Sequence, residues 1–164
     1  MRLRLFPIVV ALVAVACLMV AFTAAKSQRS NGSSHLLGEW KLLSVDNVDP
    51  DGTRKPRHGK HPAGLLIFDA HGHYSLIVLT EGTPEEYKAA LEGNNADYGR
   101  YTVDPDRHAV TFYMDHASHS ELEGSSHTRY YTVLGDRLTY TTVEPPADRK
   151  PKVSYGEVVF ERVK

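Results

Sequence analysis

Residues Ser126–Val143, SHTRYYTVLGDRLTYTTV, read as two β-prone runs around a tight turn. Ser126 to Leu134 and Arg137 to Val143 are rich in Thr, Tyr and Val, residues that suit a pleated, half-buried surface. Gly135-Asp136 between them is a two-residue connection of the kind that fixes the register of an antiparallel hairpin. Working outward, the same grammar repeats along the chain. Asp97 to Val103 (DYGRYTV) and Ala109 to His116 (AVTFYMDH) flank an Asp104-Pro105-Asp106 turn. Gly64 to Asp69 (GLLIFD) and Tyr74 to Leu79 (YSLIVL) flank Ala70-His71-Gly72-His73, where Gly72 can supply positive φ. Gly38 to Val45 (GEWKLLSV) forms a first strand, and a last one runs from Val153 to Val163.

Two stretches break the pattern. Asp46 to Pro62 is polar and holds Pro50, Pro56, Pro62, Gly52 and Gly59, which reads as a long loop. Thr83 to Leu91 is the one helical segment, with Thr83 as N-cap, Pro84 at the first helical position and Glu86 three after the cap. The expectation is an all-β domain of eight antiparallel strands and one short helix. Sequential hairpins of this number must deal with their exposed edges, and closing into an up-and-down barrel removes them.

The N-terminus is of another kind. Arg2 and Arg4 precede Leu5 to Phe22, which carries no charge, and Thr23-Ala24-Ala25 offers small residues to a signal peptidase. Residues 1–25 therefore read as an export segment outside the fold, with cleavage near Ala25. At about 18 residues the apolar run is also long enough to span a bilayer as an uncleaved anchor. Ala14-Val15-Ala16 before Cys17, the one cysteine, adds lipidation as a third reading. Residues 26–35 are a polar tether, and the domain occupies 36–164. The protein is then periplasmic or secreted, or anchored with the barrel outside the cytoplasm, and touches a membrane only through residues 1–25.

Of 19 Lys and Arg, only Arg2 and Arg4 leave with the export segment, so the remainder keeps all 20 Asp and Glu and is mildly acidic. That balance argues against nucleic acid or an anionic membrane surface as a partner, since both call for a concentrated positive field. Without a second cysteine no internal disulfide forms, and about 130 residues must hold together through their own core.

The strand residues resemble a known family. Gly38-Glu39-Trp40 resembles the Gly-x-Trp signature of lipocalins, and Arg162 stands where that fold stacks an Arg over the Trp. Pro62 to Leu66, Tyr98 to Asp104, Val110 to His116, Gly135 to Thr139 and Phe160 to Val163 are similar to the bacterial and fungal lipocalin-like domain, in order, over nearly all of residues 36–164. Ala117 to Ser126 departs from that pattern in being polar and without aromatic residues. The resemblance implies an eight-stranded calycin-type cup that holds one small, largely apolar or amphipathic molecule. It also implies that Trp40 and Arg162 are structural.

Alternation sorts the candidate ligand-binding residues. On the fifth strand Val110, Phe112, Met114 and His116 share a face, so His116 ends an apolar row pointing inward. On the sixth, His127, Arg129, Tyr131 and Val133 compete with Thr128, Tyr130, Thr132 and Leu134 for the interior. With Arg129 inside, it and His116 form the polar end of the cavity, where an Arg fork suits a ligand carboxylate. Tyr74, Tyr101 and Tyr140 join Phe112 and Met114 as lining, because Tyr combines an apolar body with one hydroxyl.

Nine histidines raise the question of a metal. His58, His61, His71 and His73 fall in loops and turns. His116, His119 and His127 flank one connection and are the candidate cluster for a periplasmic metal-binding calycin, since zinc needs three or four converging ligands. Some lipocalin-like barrels act as cyclases or isomerases, and His116 in the cavity is the acid or base such chemistry would use. No Gly-x-Ser-x-Gly elbow, cysteine nucleophile, phosphate loop or paired inward carboxylates accompany it, so binding ranks above catalysis and no cofactor is called for.

Overall fold

The computed structural model describes residues 34–80, 94–145 and 153–164. The expected export segment, nearly all of the tether and the expected helix at Thr83–Leu91 lie outside the described residues.

Among the described residues there are nine strands: β1 (Gly38–Val48), β2 (Arg54–Pro56), β3 (Ala63–Phe68), β4 (His73–Leu79), β5 (Asn95–Asp104), β6 (Ala109–Ala117), β7 (Ser126–Leu134), β8 (Arg137–Thr141) and β9 (Tyr155–Arg162). Each pairs antiparallel with its neighbour from β3 to β9, and β1 joins β3 on one side and β9 on the other. The result is the closed eight-stranded barrel expected from the hairpin series, with β2 as an addition. β2 falls in the stretch expected to be loop. It forms because Gly52, at φ 87°, turns the chain back so that Arg54–Pro56 pair with Val48–Asp46.

β1 runs from one rim to the other, and β2 extends only its mouth end. Trp40 pairs with Arg162 and Leu66 at the base, while Val48 pairs with Tyr155 at the mouth. At the base the indole Nε1 of Trp40 donates to the Leu36 carbonyl at 2.7 Å, and the Arg162 guanidinium stacks over the indole at 4.0 Å. The same guanidinium donates to the carbonyls of Leu37 (2.7 Å) and His35 (2.8 Å), tying the entry of the chain to its exit. Gly38 is held at φ 110° against Arg162 Nη1, a conformation and a proximity that both suit a residue without Cβ.

The base half of the interior is filled. Phe68 and Tyr101 meet edge-to-face at 4.8 Å, Tyr74 and Phe112 at 4.7 Å, and Tyr140 and Phe160 lie 5.4 Å apart. Trp40, Leu66, Val110 and Leu138 complete this core and are almost fully buried. Aromatic contacts of this geometry add about 0.5–1.5 kcal/mol each beyond the area they bury.

Two bulges adjust the faces. In β1 the register against β9 slips between Leu42 and Ser44, which lets Trp40, Leu42 and Val45 all join the core. Between β5 and β6, Tyr98 pairs with His116 but Gly99 pairs with Met114, leaving Asp115 as an extra residue. A one-residue slip sends every later side chain to the opposite face.

Candidate functional site

That second bulge decides where His116 goes. Val110, Phe112 and Met114 face inward as alternation predicts, but beyond Asp115 the phase inverts and His116 emerges on the outer wall, its side chain 62% exposed. There it lies against Tyr98, with ring centroids 5.4 Å apart, and its Nδ1 is 3.3 Å from Glu123 Oε1. The expected inward His116 is therefore corrected, and with it both the polar end built from His116 and Arg129 and a cavity acid or base at His116.

The face of β7 left open by the sequence is settled by pairing. Phe112 stands opposite His127 and Val110 opposite Arg129, so His127, Arg129, Tyr131 and Val133 form the inner row. Above the filled base, in the mouth half, lies a cavity of about 170 Å³. Its apolar wall comes from Val45, Leu76, Val78, Phe112, Met114, Tyr140 and Val158. The polar wall comes from Asn95, Asp97, His127, Arg129 and Thr142, with Arg57 and His58 contributed by the segment that follows β2.

The structure thus brings Phe112, Met114, Arg129 and Tyr140 to one cavity. Tyr74 and Tyr101 also face the interior but do not line it. Tyr74 packs behind Phe112, and Tyr101 sits in the base half, where its hydroxyl donates to the Asp69 carbonyl at 2.8 Å.

Asp97 was missed by the sequence reading and is the most unusual group in the site. It is 4% exposed, on the inner face of β5 in phase with Tyr101. Asn95 Nδ2 donates to its Oδ2 at 2.9 Å. Burial pushes its carboxyl above the ordinary range, outweighing the opposing influence of Tyr74, Asn95, His127 and Arg129. The Tyr74 hydroxyl beside it is buried without a hydrogen-bond partner among the described residues, as is Asn95 Oδ1, so Tyr74 acts on Asp97 without meeting hydrogen-bond geometry. Burial also raises the Tyr74 and Tyr140 hydroxyls well above the usual phenol range. Alternation from Tyr101 back to Asp97 was the available signal; nothing in the sequence could place Arg57 or His58.

The three candidate metal ligands do not converge. His127 points inward and its Nε2 lies 3.1 Å from Ser125 Oγ; His119 Nε2 lies 3.2 Å from the Asn94 carbonyl; His116 is on the outer wall. Among the described residues no group of three His, Cys, Asp or Glu side chains gathers to hold an ion.

Residues 37–163 match the lipocalin-like domain family, over well more than half of the chain. The chain belongs to that family. Among curated proteins nothing matches it. A redesigned β-barrel of known structure is similar at 13% identity, over 83% of this chain and 96% of that one, with a TM-score of 0.41. A lipocalin-like barrel is a ligand-binding fold, and here the cup is divided into a solid base and a cavity at the mouth.

Proposed function

We propose that this lipocalin-like protein is exported and binds one small, largely apolar molecule in the mouth half of its barrel. The observation that carries the reading is the cavity of about 170 Å³ floored by Phe112, Met114 and Tyr140. An apolar cavity of about 150 Å³ is enough to take up benzene, so the ligand body is about one ring in size. Longer chains would have to displace the aromatic core beneath.

Export is supported by Arg2 and Arg4 ahead of the uncharged Leu5–Phe22 and the small residues Thr23-Ala24-Ala25. Mass spectrometry of protein recovered from its host tests this half: a chain starting near Lys26 outside the cytoplasm is the expected result, and an intact N-terminus in the soluble cytoplasm would refute it.

The binding half is tested by titrating the purified full chain with toluene and benzyl alcohol while following Met114 methyl and Phe112 ring signals by NMR. Saturable shifts are expected. Val78→Phe, which fills the cavity from β4, should remove them while leaving a cooperative unfolding transition. Equal shifts in that variant would mean that the probes sit elsewhere.

A further inference from the structure

The cavity has two guanidinium groups against a single carboxyl. Arg129 enters from β7 and Arg57 from the segment after β2, and both line the same space. Neither has an ion-pair partner among the described residues. Arg129 Nη1 donates to the neighbouring Thr128 carbonyl at 2.9 Å, which orients the group without neutralising it. Nearby cations are treated differently: Arg54 is paired with Glu157 and Asp46, and Lys55 with Asp49 at 2.6 Å.

From this arrangement we infer that the ligand is a ring-sized organic anion, a small aromatic or alicyclic carboxylate whose head is received between Arg57 and Arg129 and whose body rests on Phe112, Met114 and Tyr140. The inference rests on the binding reading above and names the ligand class for that same cavity.

Three physical points support it. A cleft with an excess of one sign of charge, here two guanidinium groups against one carboxyl, and low-dielectric walls focuses its net field on an entering counter-ion. Guanidinium groups match the planar carboxylate with paired N–H donors, and such charge-assisted bonds are about twice as strong as neutral ones. Asp97 offsets only part of the field, because it is one carboxyl against two guanidinium groups and already accepts a hydrogen bond from Asn95. Inorganic anions would meet the same two arginines but leave the apolar floor unused.

The test compares benzoate with benzyl alcohol, which has a ring of the same size and no charge, on the purified full chain by calorimetry and NMR. The wild type should bind benzoate at least about tenfold more tightly, and the advantage should shrink as salt is raised. Arg129→Met should collapse the ratio of the two dissociation constants toward one. Arg57→Met, at an exposed position where folding is not at stake, should reduce it. Arg137→Met, which removes the same charge outside the cavity, should leave the ratio as it was. Equal binding of both probes by the wild type, or an advantage that survives both cavity variants, would overturn the anion assignment while leaving a binding barrel. Failure of both probes to bind would overturn the binding reading itself.

Discussion

A β-carbon built on Gly99 would stand 2.0 Å from the carbonyl oxygen of Tyr113 across the β5–β6 pair. It would also lie 2.8 Å from the Asp115 amide nitrogen, so the clash is with backbone on both sides of the bulge. Gly99→Ala must push the two strands apart or iron out the bulge. Overpacking of this kind costs about 3 kcal/mol. Urea unfolding should show that loss as a lower midpoint at unchanged m-value; an unaltered midpoint would mean that the strands yield without cost.

This bulge also marks the limit of what the sequence disclosed about the site. Alternation along β6 places Val110, Phe112 and Met114 inside, because hydrophobic pattern and pleat have the same period. It fails at His116 because a bulge is a property of a pair of strands, and its trace is a glycine on the partner. The barrel was legible from hairpin turns such as Gly135-Asp136, whose chemistry is local. The inner row of β7 was not, since both rows mix Tyr with polar residues, and the pairing of His127 with Phe112 chose between them. Arg57 could not be assigned because loop residues carry no period that points them anywhere.

Arg162 binds the base through one stack and two carbonyls, at 4.0, 2.7 and 2.8 Å. Arg162→Met forfeits the charge-assisted hydrogen bonds and the cation–π contact, a loss of about 2–3 kcal/mol. Arg162→Lys should recover little of it, since an ammonium cannot span both carbonyls while lying flat on the indole. Thermal unfolding checks the order wild type, Lys, Met. Toluene titration of the folded variants should be unchanged, because the base lies at the far end of the barrel from the cavity.

Asp97 predicts a pH dependence whose sign follows from its direction of shift. Burial holds its folded-state pKa above the unfolded value. The stability it contributes is therefore fully present below the unfolded pKa and is lost as pH rises through the folded one. Asp97→Asn keeps the shape and removes the titration. Its melting temperature should equal or exceed that of the wild type at pH 7, and this advantage should shrink toward pH 3. An advantage that instead grows on acidification would show that Asp97 is stabilised as a carboxylate.

Phe112 joins the solid base to the cavity. Its ring meets Phe68 at 5.8 Å, Tyr74 at 4.7 Å and Tyr140 at 6.2 Å, and its upper edge lines the binding space. Phe112→Ala therefore does two things at once. It removes the centre of the aromatic cluster, at about 3–5 kcal/mol, which brings a domain of ordinary stability close to unfolding. It also deepens the cavity into the base, so that a two-ring molecule fits where one ring did. Because a ligand that binds only the folded state raises stability with its own affinity, the two effects separate in one measurement. Indole should raise the melting temperature of the variant more than that of the wild type, and toluene should do the reverse. If both molecules rank as they do in the wild type, Phe112 does not set the depth of the site.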